Sequence, residues 1–248
     1  MIKNIRLEFF KIHHRKVYIS VFGIIFVTFL WALWSMNGET LNADQGWMAL
    51  LYNFSTINCI IMPILTAIIA SRLIDIEHKG CTLKLLKTLQ GSSNLFNSKF
   101  ICGIFIVIMA VLMQTISILI IGLLHKFNNI PYGYLAYYFL YTLTISIVLL
   151  LFQMILSFRF INQMIGFIAA ITGSFLGLFS LFFNGIISKL FIWAYYGILC
   201  PAGLDWDKDT HISTYHWNSI PIFYILIIFS ICIFLYIYGK KLFMLKEE

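Results

Sequence analysis

The stretch "SRLIDIEHKGCTLKLLKTLQGSSNLFNSKF", residues 71–100, lies between two long apolar runs and carries five cationic side chains. A segment this polar stays in water or at a membrane surface, whereas each flanking run is long enough to cross a bilayer. Of the 248 residues, 61% are hydrophobic and only 11% are charged, a composition far from that of soluble domains. The sequence therefore predicts a membrane protein in which residues 71–100 connect two spans.

Runs of roughly 20 apolar residues, the length of helix that crosses about 30 Å of hydrocarbon, predict six transmembrane helices. Their predicted bounds are 17–36, 47–70, 100–124, 134–158, 164–183 and 220–238. We expect helices because hydrocarbon cannot satisfy an open sheet edge and because the alternating pattern of a membrane barrel is absent. The predicted fold class is an all-α polytopic membrane protein, with residues 1–248 forming one transmembrane domain.

The distribution of cations predicts the orientation of these spans. With six spans and a cytoplasmic N-terminus, 14 of the 17 Lys and Arg residues lie on the inner side, as the positive-inside rule requires. A seventh candidate span, residues 190–204, is short and contains two glycines and a proline, and it would place the basic C-terminal tail outside. We therefore predict that the outer segment 184–219 between helices 5 and 6 is partly re-entrant and that both termini are cytoplasmic.

The search for chemistry in the sequence is mostly negative. The predicted spans hold no charged residue, which disfavours ion-coupled transport, and no phosphate-binding loop is present, so the chain is not expected to bind ATP by itself. No catalytic residue and no metal site are predicted. The net charge of +7 is explained by basic cytoplasmic flanks, so a nucleic-acid partner is not expected. Single polar residues within or beside the spans are expected to hydrogen-bond neighbouring helices: Asn53, Asn58, Gln114, Gln153 and Gln163.

The N-terminal segment 1–16, "MIKNIRLEFFKIHHRK", has the spacing of an amphipathic helix. Its apolar stripe consists of Ile2, Ile5, Phe9 and Ile12, whereas Lys3, Lys11, His14 and Arg15 are predicted to face elsewhere. Such a helix would lie on the inner membrane surface and lead into the first span as an elbow. The alternative is an ordinary basic flank without fixed structure.

A second amphipathic segment follows Gly80, which can end a helix that continues from the second span. In "CTLKLLKTLQG", residues 81–91, an apolar stripe is predicted with lysines on the other side. The stripe consists of Leu83, Leu86 and either Leu89 or Leu85, and the lysines are Lys84 and Lys87. A short cytoplasmic helix of this kind buries its stripe against lipid headgroups or against a partner protein. Both alternatives remain open from these residues alone.

The order of these features resembles the six-span permease subunits of ABC-2 type transporters over the whole chain. The stretch "EHKGCTLKLLKTLQGSSNLFNSK" is similar to the family pattern Glu-x-x-x-Gly-Thr-x-x-x-Leu-x-x-x-Pro-x-Ser with a Lys soon after. The residues that fit are Glu77, Thr82, Leu86 and Lys99. Two departures are the inserted Cys81 and Gln90, which stands where a proline is common. In size and in its aromatic outer region, the chain looks most like the permeases of lantibiotic-immunity and bacitracin-export systems.

This resemblance implies a transporter subunit without enzymatic activity or cofactor of its own. Two copies of a separate ABC ATPase would bind ATP and Mg, and a second permease, identical or related, would complete the transporter in the bacterial plasma membrane. The cargo implied is an amphipathic antimicrobial peptide, exported for self-immunity or resistance. Within the coupling loop 71–99, which would contain a coupling helix, the residues implied to contact the ATPase are Glu77, Lys79, Gly80, Thr82, Leu83, Leu86 and Lys87.

Within that loop, Glu77 is expected to hold the root by pairing with Lys79 or with a cation of the ATPase. The alternative function is a membrane scaffold or sensor subunit that transports nothing and uses the same loop to bind a cytoplasmic regulatory protein.

Overall fold

The computed structural model describes residues 2–37, 45–80, 91–182, 186–206 and 213–245. The longer helices in these residues are α1 (Ile2–His14), α2 (Val17–Asn37), α3 (Gly46–Gly80), α4 (Ser92–Leu124), α5 (Tyr132–Arg159) and α6 (Met164–Ser180). They are followed by α7 (Ile186–Leu190), a 3-10 turn (Ile192–Ala194), α8 (Tyr195–Ile198), the strands β1 (Ala202–Trp206) and β2 (Ser213–Trp217), and α9 (Ile222–Leu245).

Five helices in the described residues are long and apolar enough to span a membrane, namely α2, α3, α4, α5 and α9. The chain is therefore a mostly helical, multi-pass membrane protein, and the prediction is confirmed at this level. The predicted fifth span corresponds to α6, which is apolar but has only 17 residues. At about 1.5 Å per residue α6 is about 25 Å long, somewhat less than the usual hydrocarbon thickness.

Helix α3 is the central element of the bundle. It contacts α2, α4, α5, α6, α8 and both strands. In its most apolar 18-residue stretch 67% of the residues are buried, compared with 11% in the corresponding stretch of α9. Helix α2 is also peripheral, and large apolar side chains such as Phe22 and Trp34 stand exposed on it. In a membrane protein such exposed apolar faces meet lipid or another membrane chain.

One end of the bundle carries the β-hairpin, and we call it the hairpin end. Here Trp47, at the start of α3, donates a hydrogen bond from Nε1 to the backbone oxygen of Asn128 at 2.9 Å, just after α4 has ended. Trp217 of β2 stacks on Tyr134 at the start of α5, with ring centroids 3.8 Å apart and planes 3° from parallel. The starts of α3 and α5 and the segment that follows α6 are therefore at the same end.

The opposite end carries α1, and we call it the elbow end. Phe243, near the C-terminal end of α9, stacks on Phe158 near the end of α5 at 4.1 Å and lies 5.8 Å from Phe96 at the start of α4. Helix α6 begins beside the end of α5 at the elbow end, and the chain reaches the hairpin at the other end only after α7, the 3-10 turn and α8. Helices α2, α3, α4, α5 and α9 therefore each run from one end of the bundle to the other. Helix α6 starts at the elbow end, and its Ser174 donates a hydrogen bond to the backbone oxygen of Ile60 near the middle of α3.

The two-stranded hairpin is a feature that the all-α prediction did not include. Strands β1 and β2 pair antiparallel, with Ala202 opposite Trp217 and Trp206 opposite Ser213. Its second strand, "STYHW", is rich in residues that favour strands, and its central Tyr215 is buried with its ring edge-on to Tyr52 of α3. The sequence predicts only loop and re-entrant chain for the outer segment, because strands of five residues are too short to be distinguished by their pattern.

Candidate coupling site

Helix α1 packs against the bundle through an inward face that contains an acidic residue. Ile12 and Glu8 are both buried, and Phe9 packs edge-on against Phe105 of α4 with ring centroids 5.2 Å apart. Glu8 precedes Ile12 by four residues, so the two side chains project from the same side of the helix. The amphipathic stripe of the N-terminal segment thus includes one carboxylate that points into the protein.

Lys99 of α4 lies at the centre of a buried ion cluster with this carboxylate. Its Nζ atom lies 2.8 Å from Glu8 Oε2 and 2.7 Å from Glu77 Oε2, and it donates a hydrogen bond to the backbone oxygen of Leu73 at 2.7 Å. The three charged side chains are each no more than 2% exposed. The contact with Glu77 Oε2 is an ion pair by distance, although its angles fall outside those of a hydrogen bond.

Lys11 completes the cluster from the solvent side. Its Nζ atom lies 2.8 Å from Glu8 Oε1 and 3.1 Å from Glu77 Oε1, so each carboxylate pairs with both ammonium groups and the four charges cancel. Partial burial by itself lowers the pKa of Lys11, but the hydrogen bonds and charges of the two carboxylates more than offset this and raise its pKa. Lys11 is therefore fully charged at physiological pH.

A fifth and sixth charge extend the contact between α1 and α3. Arg15, directly after α1, lies with a guanidinium nitrogen 3.5 Å from Asp75 Oδ2. The chain then turns sharply into α2 at Lys16, whose φ of 52° is uncommon for a residue other than glycine. The elbow helix is thus fixed to the end of α3 on one side and joined to the first span by a tight turn on the other.

This cluster closes the base of the segment between α3 and α4. Glu77 lies in the last turn of α3, and Lys99 lies about two turns into α4, so their ion pair joins the two helices that flank residues 81–90. Through Glu8 and Lys11 the elbow helix is bound to both flanking helices at once. A displacement of the connecting segment would therefore reach α1, α3 and α4 together.

Only some of the predicted site residues lie in the part of the chain that the structure describes. Glu77 lies in the cluster, where it pairs with Lys99 and Lys11, whereas the prediction named Lys79 or an ATPase cation. Lys79 and Gly80 end α3, and their surroundings lie outside the described residues. Thr82, Leu83, Leu86 and Lys87 also lie outside the described residues, and the predicted coupling helix with them.

Three members of the cluster were not predicted as site residues: Glu8, Lys11 and Lys99. Lys11 was expected to face away from the apolar stripe; this was wrong, because the end of α3 lies over α1 and brings Glu77 within reach. A signal for Glu8 was present, since it is the only acidic residue in the first 38 and shares a helix face with Ile12. The sequence identifies Lys99 only as the lysine that follows the family pattern.

The polar residues predicted to bond between helices divide into two groups. Asn58 donates to Tyr138 Oη at 2.8 Å and accepts from Gln114 Nε2 at 3.0 Å, and Asn53 lies 3.4 Å from Ser35 Oγ. The side-chain amides of the other two, Gln153 and Gln163, have no hydrogen-bond partner among the described residues.

Comparison with known proteins identifies the family to which the chain belongs. The family described as ABC-2 family transporter protein matches residues 4–177, more than two thirds of the chain, and this range contains all four residues of the buried ion cluster. No curated protein matches the chain. The chain belongs to the ABC-2 transporter family and is a membrane permease component of an ABC transporter, a subunit that lacks an ATPase of its own.

Proposed function

We propose that this chain is the permease of an exporter that moves an amphipathic antimicrobial peptide out of the membrane for self-immunity or resistance. Two copies of a cytoplasmic ABC ATPase and a second permease, identical or related, complete the transporter. ATP binding closes the ATPases on each other, and the closing motion pushes on the segment between α3 and α4. The difference in ATP affinity between the open and closed ATPase dimers supplies the free energy.

The observation that carries the proposal is the buried ion cluster at the base of that segment. An ammonium group held between two carboxylates at 2.7 and 2.8 Å resists separation, because an unpaired charge would be left in a buried site. The ends of α3 and α4 therefore move as one unit with the elbow helix. A force on residues 81–90 therefore displaces the first three spans, α2, α3 and α4, together and does not merely bend the connecting segment.

Six crossings and cytoplasmic termini are part of the proposal. A crossing by the short helix α6 is supported by the course of the chain, which enters α6 at the elbow end and arrives at the hairpin at the other end. The elbow end also carries the basic residues Arg15, Lys16, Arg159, Lys240 and Lys241. The re-entrant part of the outer segment is supported by the hydroxyl of Tyr196, which lies 2.9 Å from Ser146 Oγ in the middle of α5.

The nature of the spans supports an amphipathic cargo. The apolar cores of the spans are rich in aromatic side chains and carry no formal charge, which suits a lipophilic or amphipathic molecule better than a sugar or an ion. The membrane location and the immunity role of the lantibiotic and bacitracin permeases that the chain resembles agree with such a cargo.

The proposal is tested by the double substitution Leu83→Asp and Leu86→Asp. If these leucines anchor the coupling helix in a groove of the ATPase, their loss removes roughly 1.5 to 3 kcal/mol each and places charge in an apolar contact. We expect near-normal insertion, loss of the co-purifying ATPase and loss of peptide resistance. The matched control is Lys84→Asp with Thr88→Asp, on the opposite side of the predicted helix, which should keep the ATPase.

Retained ATPase binding and full resistance in the leucine double mutant would contradict the proposal. Under the alternative function, the same double mutant would release a regulatory protein rather than an ATPase. Mass spectrometry of the proteins that co-purify with the wild-type chain and with both variants separates the two functions.

A further inference from the structure

Most polar side chains inside the described part of the bundle hydrogen-bond the backbone of their own helix or a side chain of a neighbouring helix. Gln114, Asn58 and Tyr138 form a closed set of hydrogen bonds between α4, α3 and α5, and all three side chains are fully buried. Ser146 and Tyr196 form another pair at 2.9 Å. These sets follow the usual rule that polar groups buried in hydrocarbon find partners.

A second set breaks this rule. Both amide atoms of Gln153, which is fully buried in α5, have no hydrogen-bond partner among the described residues. The same holds for the buried amide atoms of Gln163, directly before α6, and for the buried Nε1 of Trp193 in the turn after α7. A buried donor or acceptor without a hydrogen-bond partner destabilises the fold. Five such atoms in one region therefore indicate that these groups are kept for a function.

The three side chains lie along one face of α6. A Cβ atom at Gly166 would lie 3.3 Å from Gln153 Oε1, and Trp193 covers both Gly173 and Gly177. Steps of three and four residues from Gln163 through Gly166, Ala170 and Gly173 to Gly177 describe one helix face. All buried residues of α6 are small: Gly166, Ala170, Gly173, Ser174, Gly177 and Ser180. The unpartnered groups thus form a row along a slender face.

The chemistry of this row suits uncharged polar groups. A glutamine amide both donates and accepts, and an indole N–H donates. This is the complement of a peptide bond, which offers one N–H and one C=O. From Gln163 to Gly177 the row rises about 20 Å along α6, the length of about six residues of extended peptide.

Helix α6 can open this face without leaving the bundle. It packs more extensively on α3 than on α5, and the unpartnered Gln153 lies on the α5 side. If α6 separates from α5 and keeps its contacts with α3, the row of unpartnered groups becomes accessible while the fold is preserved.

We propose that the seam between α5 and α6 opens during the transport cycle and that Gln153, Gln163 and Trp193 hydrogen-bond the peptide-bond amides of the cargo. This inference rests on the proposed peptide export and names the part of the permease that binds the cargo.

The first test compares two buried glutamines. Gln153→Leu removes unpartnered atoms and fills the space with an apolar side chain, so the melting temperature stays equal or rises. Gln114→Leu, the matched control, leaves the buried Oδ1 of Asn58 without its hydrogen-bond donor and lowers the melting temperature. In cells that contain the complete transporter, Gln153→Leu is expected to reduce protection against bacitracin or nisin at least 10-fold at unchanged permease level. Wild-type protection by Gln153→Leu would overturn the proposal.

The second test measures opening directly. The positions compared are Ala170, one turn after Gly166 on the face of α6 that carries the row, and Ala110 in α4; both residues are fully buried. Each is replaced by a single cysteine in a chain without native cysteines. We expect a water-soluble methanethiosulfonate to modify Ala170→Cys at least 10-fold faster than Ala110→Cys in one nucleotide state of the ATPase. Equal rates in all nucleotide states would overturn the proposed opening. If the wild-type transporter protects against neither bacitracin nor nisin, the proposed peptide export is contradicted. The labelling experiment then tests the opening of the seam by itself.

Discussion

Lys99 is a charged side chain held in the protein interior by three oxygen atoms from two other helices. Such a site is stable only while all of its partners are present, since the attraction between the charges must offset the loss of their hydration. The cluster therefore acts less as a source of net stability than as a fixed geometric relation between α1, α3 and α4. That distinction can be measured by removing one charge at a time.

We predict that Lys99→Met destabilises the permease by about 3–5 kcal/mol, because Glu8 and Glu77 are left buried with one shared ammonium group. Lys11→Met is the matched control, since Lys11 contacts the same carboxylates but its side chain is 25% exposed; its loss should be clearly smaller. Unfolding of both variants in detergent micelles measures the difference. Adding Glu8→Gln to Lys99→Met removes the excess charge and should recover part of the stability.

An equal effect of Lys99→Met and Lys11→Met would contradict the central place given to Lys99. Failure of Glu8→Gln to recover any stability would indicate that packing, not charge, accounts for the loss.

At the scale of single residues, the sequence held signals for the ion cluster that the prediction did not use. A stripe of isoleucines identified the buried side of the elbow helix, but the same stripe assigned Lys11 to the wrong side. Periodicity reports which residues share a face; it does not report which other helix covers that face. The pairing of Glu8 with Lys99 joins residues 91 positions apart, and no local pattern can reveal it.

Among the elements, α6 is distinguished by its small buried face. Trp193 packs directly on Gly173 and Gly177, so the 3-10 turn and α8 lie close against the backbone of α6. In membranes, where apolar contacts between helices gain little from water exclusion, such close approach of backbones is a main source of association. The docking of the segment 192–198 thus depends on the absence of side chains at two positions.

We predict that Gly173→Ala destabilises the permease by about 1–3 kcal/mol, because the added methyl group overlaps the indole ring of Trp193. Gly23→Ala in α2 is the matched control: no atom lies within 4 Å of the added Cβ, and a helical alanine is favoured over glycine by about 0.5–1 kcal/mol. Thermal unfolding of the two purified variants gives the comparison. Equal melting temperatures would show that Trp193 adjusts freely and that its docking on α6 is not specific.

The prediction of elements from the sequence succeeded where the hydrophobic run was long. Helices α2, α3, α4, α5 and α9 each contain a run of about 20 apolar residues, and such runs leave little alternative to a helix. The hairpin was missed because its strands are five residues long and bury only Ala202 and Tyr215, too few residues to form an alternating pattern. Length, rather than composition, decided which elements could be predicted.

For the whole molecule, the parity of crossings decides on which side the C-terminus lies. Five long helices alone would place the two termini on opposite sides of the membrane, whereas a crossing by α6 places them on the same side. Phe243 near the C-terminal end contacts Phe158 and Phe96 at the elbow end, and the cations Lys240 and Lys241 lie close by in sequence. Both the packing and the positive-inside rule therefore favour a crossing by α6.

We predict that single cysteines at Asp44, Asn128 and Asp207 react with an impermeant thiol reagent in intact cells, whereas cysteines at Lys87 and Lys246 do not. The background is a chain without native cysteines, and permeabilised cells serve as the control in which all five positions should react. Asp207 and Lys246 are the decisive pair, because they flank α9 and follow α6. With six crossings Asp207 is outside and Lys246 inside; with five crossings the two exchange sides. Labelling of Lys246 together with protection of Asp207 would mean that α6 does not cross, and it would contradict the packing of Trp217 on Tyr134, which places the hairpin at the same end as the start of α5.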